Sequence, residues 1–254
     1  MRRVTTNLKA RLKAGEKLLG AWTMSESPDN AEVMALSGID FVLMDHEHGQ
    51  AAIPDAIAQL RAIQGTKCAG LLRAPWNDTV FIKRVLDAGI HGIMVPQVNS
   101  VEEAKAAVAA CRYPPLGIRG AAGGTRAASY GLDMSYYERA ADELLIIVQI
   151  ETPQAVENTA AIAAVDGVDV IFIGPRDLSA MIGKLNKMDD PELRALIAKV
   201  EQATLKSGKA LGTVAPTGML AKQLFDRGYN FIISGSDLTH LRAGVTQMMR
   251  DAGR

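Results

Sequence analysis

Eight short apolar runs rich in β-branched residues recur along the 254 residues of the chain. They read KLLGAWTM, IDFVLMD, KCAGLLRAP, GIMVPQV, ELLIIVQIE, VDVIFIGP, KALGTVAP and NFIISGSD. The runs are nearly continuous rather than alternating with polar residues, which is typical of parallel strands buried on both faces. Parallel strands need helices to connect them, so this pattern restricts the chain to an α/β fold.

Helix-like segments follow the predicted strands, and several begin with Asp, Thr or Pro and end in Gly, as helix capping predicts. Eight strands that are each followed by a helix predict a (β/α)₈ TIM barrel. A doubly wound open sheet is the alternative, but it would need fewer units or an edge strand. No linker or low-complexity tract interrupts the chain, so we expect residues 1–254 to form one barrel domain. We expect the first 17 residues to form a helix that closes the barrel bottom.

Two units are longer than the others. One carries the extra stretch RYPPLGIRGAAGGTRAASYGLDMSYYERA (residues 112–140), and another carries LSAMIGKLNKMDD (residues 178–190). Long loops in a compact domain are usually functional, and active sites of barrels lie at the carboxyl ends of the strands. We therefore expect both stretches to lie on that face.

The charge balance argues against polyanionic partners. There are 28 Lys and Arg residues against 28 Asp and Glu residues, whereas binding to nucleic acid or an anionic membrane needs a basic excess. No apolar run reaches about 18 residues, and no apolar segment follows the basic N-terminus, so we expect neither a membrane span nor a secretory signal. Two cysteines, Cys68 and Cys111, exclude a disulfide scaffold and suit a reducing compartment. We expect a soluble cytoplasmic protein with a small-molecule substrate.

Polar residues stand directly after four of the predicted strands. The second strand ends in DHEH (residues 45–48), the third in Arg73, the fifth in QIE (149–151) and the sixth in GPRD (174–177). The carboxyl ends of barrel strands form one rim, so these side chains are expected to converge there. The sequence therefore predicts an active site built from four strand ends.

Two of these residues, Glu151 and Asp177, predict a metal site. Carboxylates at neighbouring strand ends can bind a hard cation, with water and substrate oxygens completing the coordination. Without a cysteine or a strand-end histidine beside them, they favour Mg²⁺ or Mn²⁺ over Zn²⁺. The alternative is that Asp177 only caps the helix that follows it.

The histidines exclude one class of metalloenzyme. His46 and His48 form an H-x-H pair like that of amidohydrolase-type barrels, but such a site needs two more histidines at later strand ends. The chain has only four, and His91 precedes the fourth strand while His240 lies inside the last helix. One histidine with an adjacent acid suits a general base instead. His48 lies further beyond the strand than His46, although spacing alone leaves both open.

Other strand-end features have two interpretations each. Arg73 can bind a carboxylate or stabilise an oxyanion, or it can simply pair with an acid on a neighbouring strand. The GPRD turn can present helix amides to an anion, or it can be an ordinary turn. The Ser-Gly-Ser string at 234–236 is a weak indication of a phosphate site.

Several reaction classes are disfavoured by what the strand ends lack. No lysine stands at the carboxyl end of a predicted strand, which disfavours Schiff-base chemistry. Cys68 opens a strand and Cys111 ends a helix, so neither is well placed as a nucleophile. No G-x-S-x-G elbow is present, nor is a G-x-G-x-x-G fingerprint after the first strand, and we expect no organic cofactor.

Four strings in this order, MDHEHG, LLRAPWND, VQIET and FIGPRDLS, resemble the HpcH/HpaI family of divalent-metal-dependent class II pyruvate aldolases. The resemblance extends over almost the whole chain and is to 4-hydroxy-2-oxoheptanedioate aldolase-like members of the family. It implies a phosphoenolpyruvate/pyruvate-type barrel and Mg²⁺, Mn²⁺ or Co²⁺ as the cofactor. It also implies pyruvate and an aldehyde as products of a 4-hydroxy-2-oxo acid, and a hexamer, a trimer of dimers, that exchanges its last helices.

The resemblance assigns roles to individual residues. It implies that Glu151 and Asp177 bind the metal, and that His48 is the catalytic histidine with Asp45 beside it. It also implies that Asp87, in the L-D-x-G string, raises the basicity of this histidine.

For substrate binding, the resemblance implies that Arg73 stabilises the transition state. Gln149 and the backbone at Arg176 and Asp177 match positions that contact the pyruvate moiety. The chain departs from the pattern at His46, where many relatives have Gly, and at Arg176, where they have a small or neutral residue. Arg176 either binds an acidic aldehyde or pairs with a neighbouring acid.

Two other functions are compatible with such a barrel. In the first, the chain is an enzyme of the same fold and metal chemistry that acts on an acyl-CoA or a phosphonopyruvate-type substrate. In the second, it is a non-catalytic barrel that only binds pyruvate. The combination of Asp45, His48 and Arg73 argues against the second, because a binding protein does not need a general base.

Overall fold

The computed structural model describes residues 6–254, and eight strands within them form one closed parallel barrel. The strands are β1 (Leu18–Thr23), β2 (Phe41–Asp45), β3 (Ala69–Arg73), β4 (Gly92–Val95), β5 (Leu145–Ile150), β6 (Val170–Ile173), β7 (Ala210–Val214) and β8 (Phe231–Ser236). Each strand pairs in parallel with its neighbours in sequence, and β1 also pairs with β8. The predicted TIM barrel is confirmed, and the open sheet is wrong because no edge strand remains.

Eleven α-helices surround the barrel within residues 6–254. They are α1 (Leu8–Lys13), α2 (Pro28–Leu36), α3 (Ile53–Ala62), α4 (Thr79–Ala88), α5 (Val101–Cys111), α6 (Tyr136–Glu143), α7 (Pro153–Ala163), α8 (Pro175–Met181), α9 (Pro191–Ser207), α10 (Gly218–Asp226) and α11 (Asp237–Asp251). The predicted N-terminal helix corresponds to α1, and the part of that prediction on residues 1–5 lies outside the described residues. None of the described helices is both long and apolar enough to cross a membrane.

Local sequence signals set the helix boundaries. The side chains of Asp78, Ser100 and Thr152 each accept a hydrogen bond from the backbone N–H three residues later, which satisfies an N–H at the start of the helix. Gly89 and Gly208 end α4 and α9 in the left-handed conformation, which glycine adopts without steric cost. Each helix therefore returns the chain to the amino end of the next strand.

The barrel interior is packed solid with large side chains. The rings of Phe41 and Phe231 stack with their centroids 4.4 Å apart, and Phe172 contacts Phe231 edge-on at 6.2 Å. Gly20 leaves room for these rings, because a Cβ at this position would lie 2.4 Å from the Phe41 ring. Because these rings fill the middle of the barrel, we expect a substrate site on a rim of the barrel.

The long stretch at residues 112–140 lies on the opposite face from the one expected. It follows α5 and precedes β5, so it connects a helix to a strand at the amino ends of the strands. Contacts at that end confirm this position: Lys9 of α1 donates to the carbonyl of Ala141 at 3.1 Å, and Ala127 N–H donates to the carbonyl of Asp87 at 3.0 Å. The prediction that this stretch borders the carboxyl-end rim was wrong, because α5 begins soon after β4 and already completes the turn on that face. Residues 178–190 do follow β6 on the predicted face.

Candidate active site

Glu151 stands directly after β5 and is almost completely buried. Its Oε1 accepts a hydrogen bond from Gln97 N–H at 2.7 Å, and its Oε2 accepts one from Gln149 Nε2 at 2.8 Å. Gly174, at the end of β6, lies against the carboxylate, and a Cβ there would come within 2.5 Å of Oε2. The Gly of the GPRD string therefore makes room for the acid of the neighbouring strand.

The charges of three carboxylates act on one another at this rim: Glu47, Glu151 and Asp177, which we call the carboxylate cluster. Burial raises the pKa of Glu151 to about 7, and the charges of Glu47 and Asp177 raise it as well. Burial also raises the pKa of Glu47, with Asp45 and Asp177 adding to the shift and Arg73 opposing it. Like charges that act on one another in a partly dehydrated site favour a bound cation or a proton.

The donors of the cluster fit a hard divalent cation. They are oxygens only, and Gln149 adds a buried side-chain oxygen that has no hydrogen-bond partner in the part of the chain that the structure describes. Residues 6–254 contain no group of three or more His, Cys, Asp and Glu side chains in metal-binding geometry. A cation held here by Glu151 and Asp177 would thus keep positions for water and substrate oxygens, which is how Mg²⁺ is usually bound.

Arg73 ends β3 opposite Asp45 of β2 and forms a two-point ion pair with it. Arg73 Nε lies 2.9 Å from Asp45 Oδ1, and Nη2 lies 2.6 Å from Oδ2. Its Nη1 lies 2.8 Å from Glu47 Oε2, and the guanidinium stacks 4.3 Å from the ring centroid of Trp22. Burial alone would raise the pKa of Asp45, but the bonds and charge of Arg73 outweigh it and lower that pKa.

Arg73 therefore pairs with an acid of the neighbouring strand, and some of its N–H donors remain without a partner in this ion pair. A guanidinium has five N–H groups. The Nε–H group and one N–H group of Nη2 bind Asp45, and one N–H group of Nη1 points to Glu47. Two N–H groups therefore remain for a substrate oxygen. Asp45 also accepts the backbone N–H groups of Glu47 and His48, at 3.1 and 3.3 Å. Asp45 thus orients Arg73 and the backbone beside it rather than the imidazole of His48.

Of the two strand-end histidines, only His48 is open to a substrate. Its side chain is 59% exposed, and Nε2 lies 4.0 Å from Glu47 Oε2. His46 is buried, its ring lies edge-on 5.8 Å from the ring of Phe81, and burial lowers its pKa. Neither ring nitrogen of His46 has a hydrogen-bond partner within residues 6–254. The geometry thus favours His48 as the base.

Asp87 lies far from His48 along the fold of a single chain. It belongs to the last turn of α4, which runs back from the carboxyl-end rim to the amino ends of the strands. There its Oδ1 accepts a hydrogen bond at 2.8 Å from Arg119, which is buried and stacks on Tyr113 with its guanidinium 4.4 Å from the ring centroid. The role of Asp87 beside the catalytic histidine stays a prediction, and one chain alone does not bring the two side chains together.

The remaining predicted positions lie on the rim as expected. Gln149 is buried beside Glu151, and Asp177 is half-buried at the third position of α8. Arg176 precedes it and is exposed, without an ion pair to any residue in 6–254. Glu47 and Trp22 also belong to this rim, and the sequence alone assigns no role to either of them. Glu47 could have been predicted, because like Asp45 it is a polar residue at the end of an apolar strand. No sequence pattern indicates a role for Trp22.

The other histidines and both thiols have structural roles. Burial raises the pKa of both Cys68 and Cys111 to about 12, which leaves the thiols unreactive. His91 Nδ1 accepts the Gly70 N–H at 3.0 Å, and His240 Nε2 lies 3.0 Å from the carbonyl oxygen of Ser234. Both histidines thus bind backbone groups of neighbouring strands, and neither contacts the carboxylate cluster.

The indication of a phosphate site after β8 is not supported by the hydrogen bonds there. Asp237, at the start of α11, accepts the backbone N–H groups of Met24 and Ser25 at 2.9 and 3.1 Å and also binds the Ser25 hydroxyl. Within the Ser-Gly-Ser string, Ser236 N–H donates to the Thr239 hydroxyl at 2.7 Å and Ser236 Oγ accepts the Thr239 N–H at 3.1 Å, so these groups cap α11.

Comparison with known proteins agrees with the geometry. The sequence pattern of the HpcH/HpaI aldolase/citrate lyase family matches residues 18–243. The chain is 43% identical to a hydroxypyruvate/pyruvate aldolase of Sagittula stellata over 93% of its length and 94% of that protein. It is 40% identical to a 5-keto-4-deoxy-D-glucarate aldolase of Enterobacter sp. (strain 638), over 96% and 95%.

A solved structure shows the same fold. A HpcH/HpaI aldolase/citrate lyase family protein from Burkholderia cenocepacia superposes with a TM-score of 0.95 at 33% identity, covering 98% of this chain and all of the other. The sequence match, the rim of strand-end acids and the superposition agree, and the chain belongs to the HpcH/HpaI aldolase/citrate lyase family.

Proposed function

We propose that the protein is a divalent-metal-dependent aldolase that reversibly cleaves a 4-hydroxy-2-oxo acid into pyruvate and an aldehyde. The observation that carries the proposal is the buried Glu151, whose pKa is raised to about 7 beside two further carboxylates. The relatives named above are aldolases, which are carbon–carbon lyases. The proposal needs no organic cofactor, and it describes a soluble cytoplasmic enzyme.

Glu151 and Asp177 would hold the cation, which would be Mg²⁺, Mn²⁺ or Co²⁺. When bound, it supplies a Lewis acid that stabilises negative charge on the keto oxygen of the pyruvate half. Gln149 and the backbone N–H groups of Arg176 and Asp177 would orient the carboxylate of that half. The exposed position of Arg176 leaves its backbone at the rim, where a small acid can reach it.

Arg73 would offset the charge that develops on the same oxygen. Asp45 holds the guanidinium at two points and Trp22 supports its face, so the two remaining N–H groups occupy fixed positions. Donors that are held in place before the reaction stabilise a developing oxyanion without reorganisation. The ion pair with Asp45 therefore contributes to catalysis by fixing Arg73.

His48 would take the proton of the C4 hydroxyl group as the C–C bond breaks. In the synthetic direction it would take a proton from the pyruvate methyl group. Its ring is exposed at the rim, within reach of a group that projects from the barrel. A base that is open to the entering substrate suits a reaction in which the aldehyde leaves from the outer side.

The position of Asp87 suggests that the active enzyme is an assembly of several copies. Within one chain Asp87 is remote from His48, so it would support this histidine only from a second copy. α11 carries a stripe of exposed apolar side chains, Leu241, Val245 and Met248, which suits burial against another subunit. We propose a homo-oligomer, a hexamer by resemblance, in which the last helices are exchanged.

Removal of the metal should abolish turnover. With a 4-hydroxy-2-oxo acid as substrate, chelator treatment should stop pyruvate release, and added Mg²⁺, Mn²⁺ or Co²⁺ should restore it. Pyruvate release can be followed by a coupled lactate dehydrogenase assay, with the coupling enzyme tested separately in chelator. Undiminished pyruvate release after exhaustive chelation would contradict the proposal.

Replacement of His48 should remove the base and spare the cation. We expect His48→Ala to lower kcat by about 10²- to 10⁴-fold, the usual contribution of general base catalysis. Metal binding, measured by calorimetry, should be retained because the carboxylate cluster is intact. His46→Ala provides the comparison: full activity of His48→Ala together with loss of activity in His46→Ala would assign the base to His46.

The raised pKa of Glu151 links metal binding to pH. In the metal-free protein Glu151 carries a proton well below about pH 7 and loses it above. We therefore expect metal binding to release about one proton near pH 6 and almost none near pH 8.5, as measured by calorimetry in buffers of different ionisation enthalpy. Equal proton release at both pH values would contradict the linkage.

Glu151 also determines how the stability of the metal-free fold changes with pH. Because the pKa of Glu151 is higher in the folded chain than its ordinary value of 4.5, the metal-free fold loses stability as pH rises from about 4.5 to about 7. Without metal, Glu151→Gln should therefore raise the melting temperature above pH 7, since a neutral side chain replaces a buried charge. A lower melting temperature than the wild type at that pH would contradict the assignment.

A further inference from the structure

We propose that Asp237 is a positioning residue of the active site. It fixes the end of β1, and thereby the Trp22 ring against which the Arg73 guanidinium lies. The effect of Asp237 on the reaction rate rests on the proposed aldolase function. Its effect on the position of Trp22 does not, so the two can be measured separately.

Arg73 has two supports, and Trp22 is one of them. Asp45 binds the edge of the guanidinium at two points, and the Trp22 ring lies against its face, 4.3 Å from the ring centroid. A planar guanidinium that is bound only at one edge can tilt about that edge, and an aromatic ring stacked on its face prevents the tilt. The direction of the free N–H groups of Arg73 therefore depends on where β1 places Trp22.

The register between β1 and β8 shifts just before Trp22. Gly20 of β1 is the partner of Ile233. Two residues later, Trp22 is the partner of Ser236, which follows Ile233 by three residues, so β8 contains one additional residue. Gly235 lies at this irregularity with a φ of 70°, in the left-handed region that favours glycine. Bulges of this kind redirect side chains next to active sites, and the regular register with β8 ends before Trp22.

Asp237 binds the chain directly after β1. Its Oδ1 accepts the Met24 N–H at 2.9 Å, and its Oδ2 accepts the Ser25 N–H at 3.1 Å and also binds the Ser25 hydroxyl. Asp237 is the only buried residue of α11. Burial alone would raise the pKa of its carboxyl, but these hydrogen bonds outweigh burial and lower that pKa. One ionised carboxylate thus holds two consecutive backbone N–H groups and fixes the chain two residues after Trp22.

The other end of β1 is held by a carboxylate in a similar way. Asp40 Oδ2 accepts the Leu19 N–H at 2.8 Å, and Asp40 Oδ1 pairs with Arg11 at 2.6 Å. Asp40 directly precedes β2, so it lies at the amino ends of the strands, on the face opposite the active site. Loss of either carboxylate should destabilise the barrel, but only loss of Asp237 should move Trp22.

The first test follows Trp22 by fluorescence in a Trp76→Phe background, in which Trp22 is the only tryptophan. Trp76 is 58% exposed, so its replacement should be tolerated. Asp237→Asn keeps the size of the side chain but places an amide NH₂ group against an N–H donor at the end of β1. We expect the Trp22 ring to leave the guanidinium, and acrylamide quenching of its emission to rise. Asp40→Asn is the matched control and should leave the quenching unchanged.

The second test measures the exchange of pyruvate methyl protons with deuterium in the presence of Mg²⁺. Asp237→Asn should lower the kcat of exchange by about 10- to 100-fold, because a displacement of about 1 Å that originates far from the chemistry can cost this much. Its affinity for Mg²⁺, measured by calorimetry, should be unchanged, because Glu151 and Asp177 follow β5 and β6. Asp40→Asn should lower the melting temperature but not the rate of exchange.

Two results would overturn the inference. Equal losses of exchange in Asp237→Asn and Asp40→Asn would show that both carboxylates only stabilise the barrel. Unchanged quenching of Trp22 in folded Asp237→Asn would show that Asp237 does not act through this ring. Failure of the wild-type protein to exchange pyruvate protons would instead overturn the proposed function, and the quenching comparison would still decide whether Asp237 positions Trp22.

Ser25→Ala provides the test if Asp237→Asn does not fold. It removes the hydroxyl bond to Asp237 and keeps both backbone bonds. We expect the quenching of Trp22 to rise and the rate of exchange to fall, each by less than in Asp237→Asn. No change in either quantity would overturn the inference.

Discussion

The burial of Glu151 among other carboxylates is the interaction on which the site depends. A carboxylate in this environment is unfavourable unless it is protonated or bound to a cation, as its pKa of about 7 shows. The fold holds it there with a backbone N–H from Gln97, a side-chain amide from Gln149 and the open space at Gly174. Three neighbouring strand connections thus cooperate to hold a charge in place, which is typical of a functional rather than a stabilising arrangement.

Arg73 compensates only part of this charge. It is committed to Asp45 at two points and lies beside Glu47, and it leaves Glu151 and Asp177 for another cation. The site therefore consists of two regions. One holds a fixed guanidinium over Trp22, and the other consists of acids that suit a metal. The exposed His48 borders these regions on the outer side.

The barrel was predictable because its signals are local. Continuous apolar runs mark strands buried on both faces, and caps such as Asp78 and Thr152 mark the helices between them. The rim positions of Glu151, Arg73 and Asp177 followed from the same pattern, since strand ends in a barrel share one face.

Other features depend on tertiary contacts that no local pattern encodes. The sequence shows that the stretch at 112–140 is long, but it does not show on which face of the barrel the stretch lies. The face is decided by α5, which begins soon after β4 and leaves the stretch at the amino ends of the strands. The pairing of Asp45 with Arg73 rather than with His48 depends on the register between β2 and β3. The place of Asp87 at the amino ends of the strands depends on the direction of α4.

The most direct test of the account is the exchange of the pyruvate methyl protons with deuterium, followed by NMR in D₂O without any aldehyde. This half-reaction needs the metal site and the base but no acceptor, so it isolates the activation of pyruvate. We expect exchange in the presence of Mg²⁺, and loss of exchange in chelator and in Glu151→Gln. Exchange that persists at the wild-type rate in chelator and in Glu151→Gln would contradict the claim that these carboxylates hold the metal that activates pyruvate.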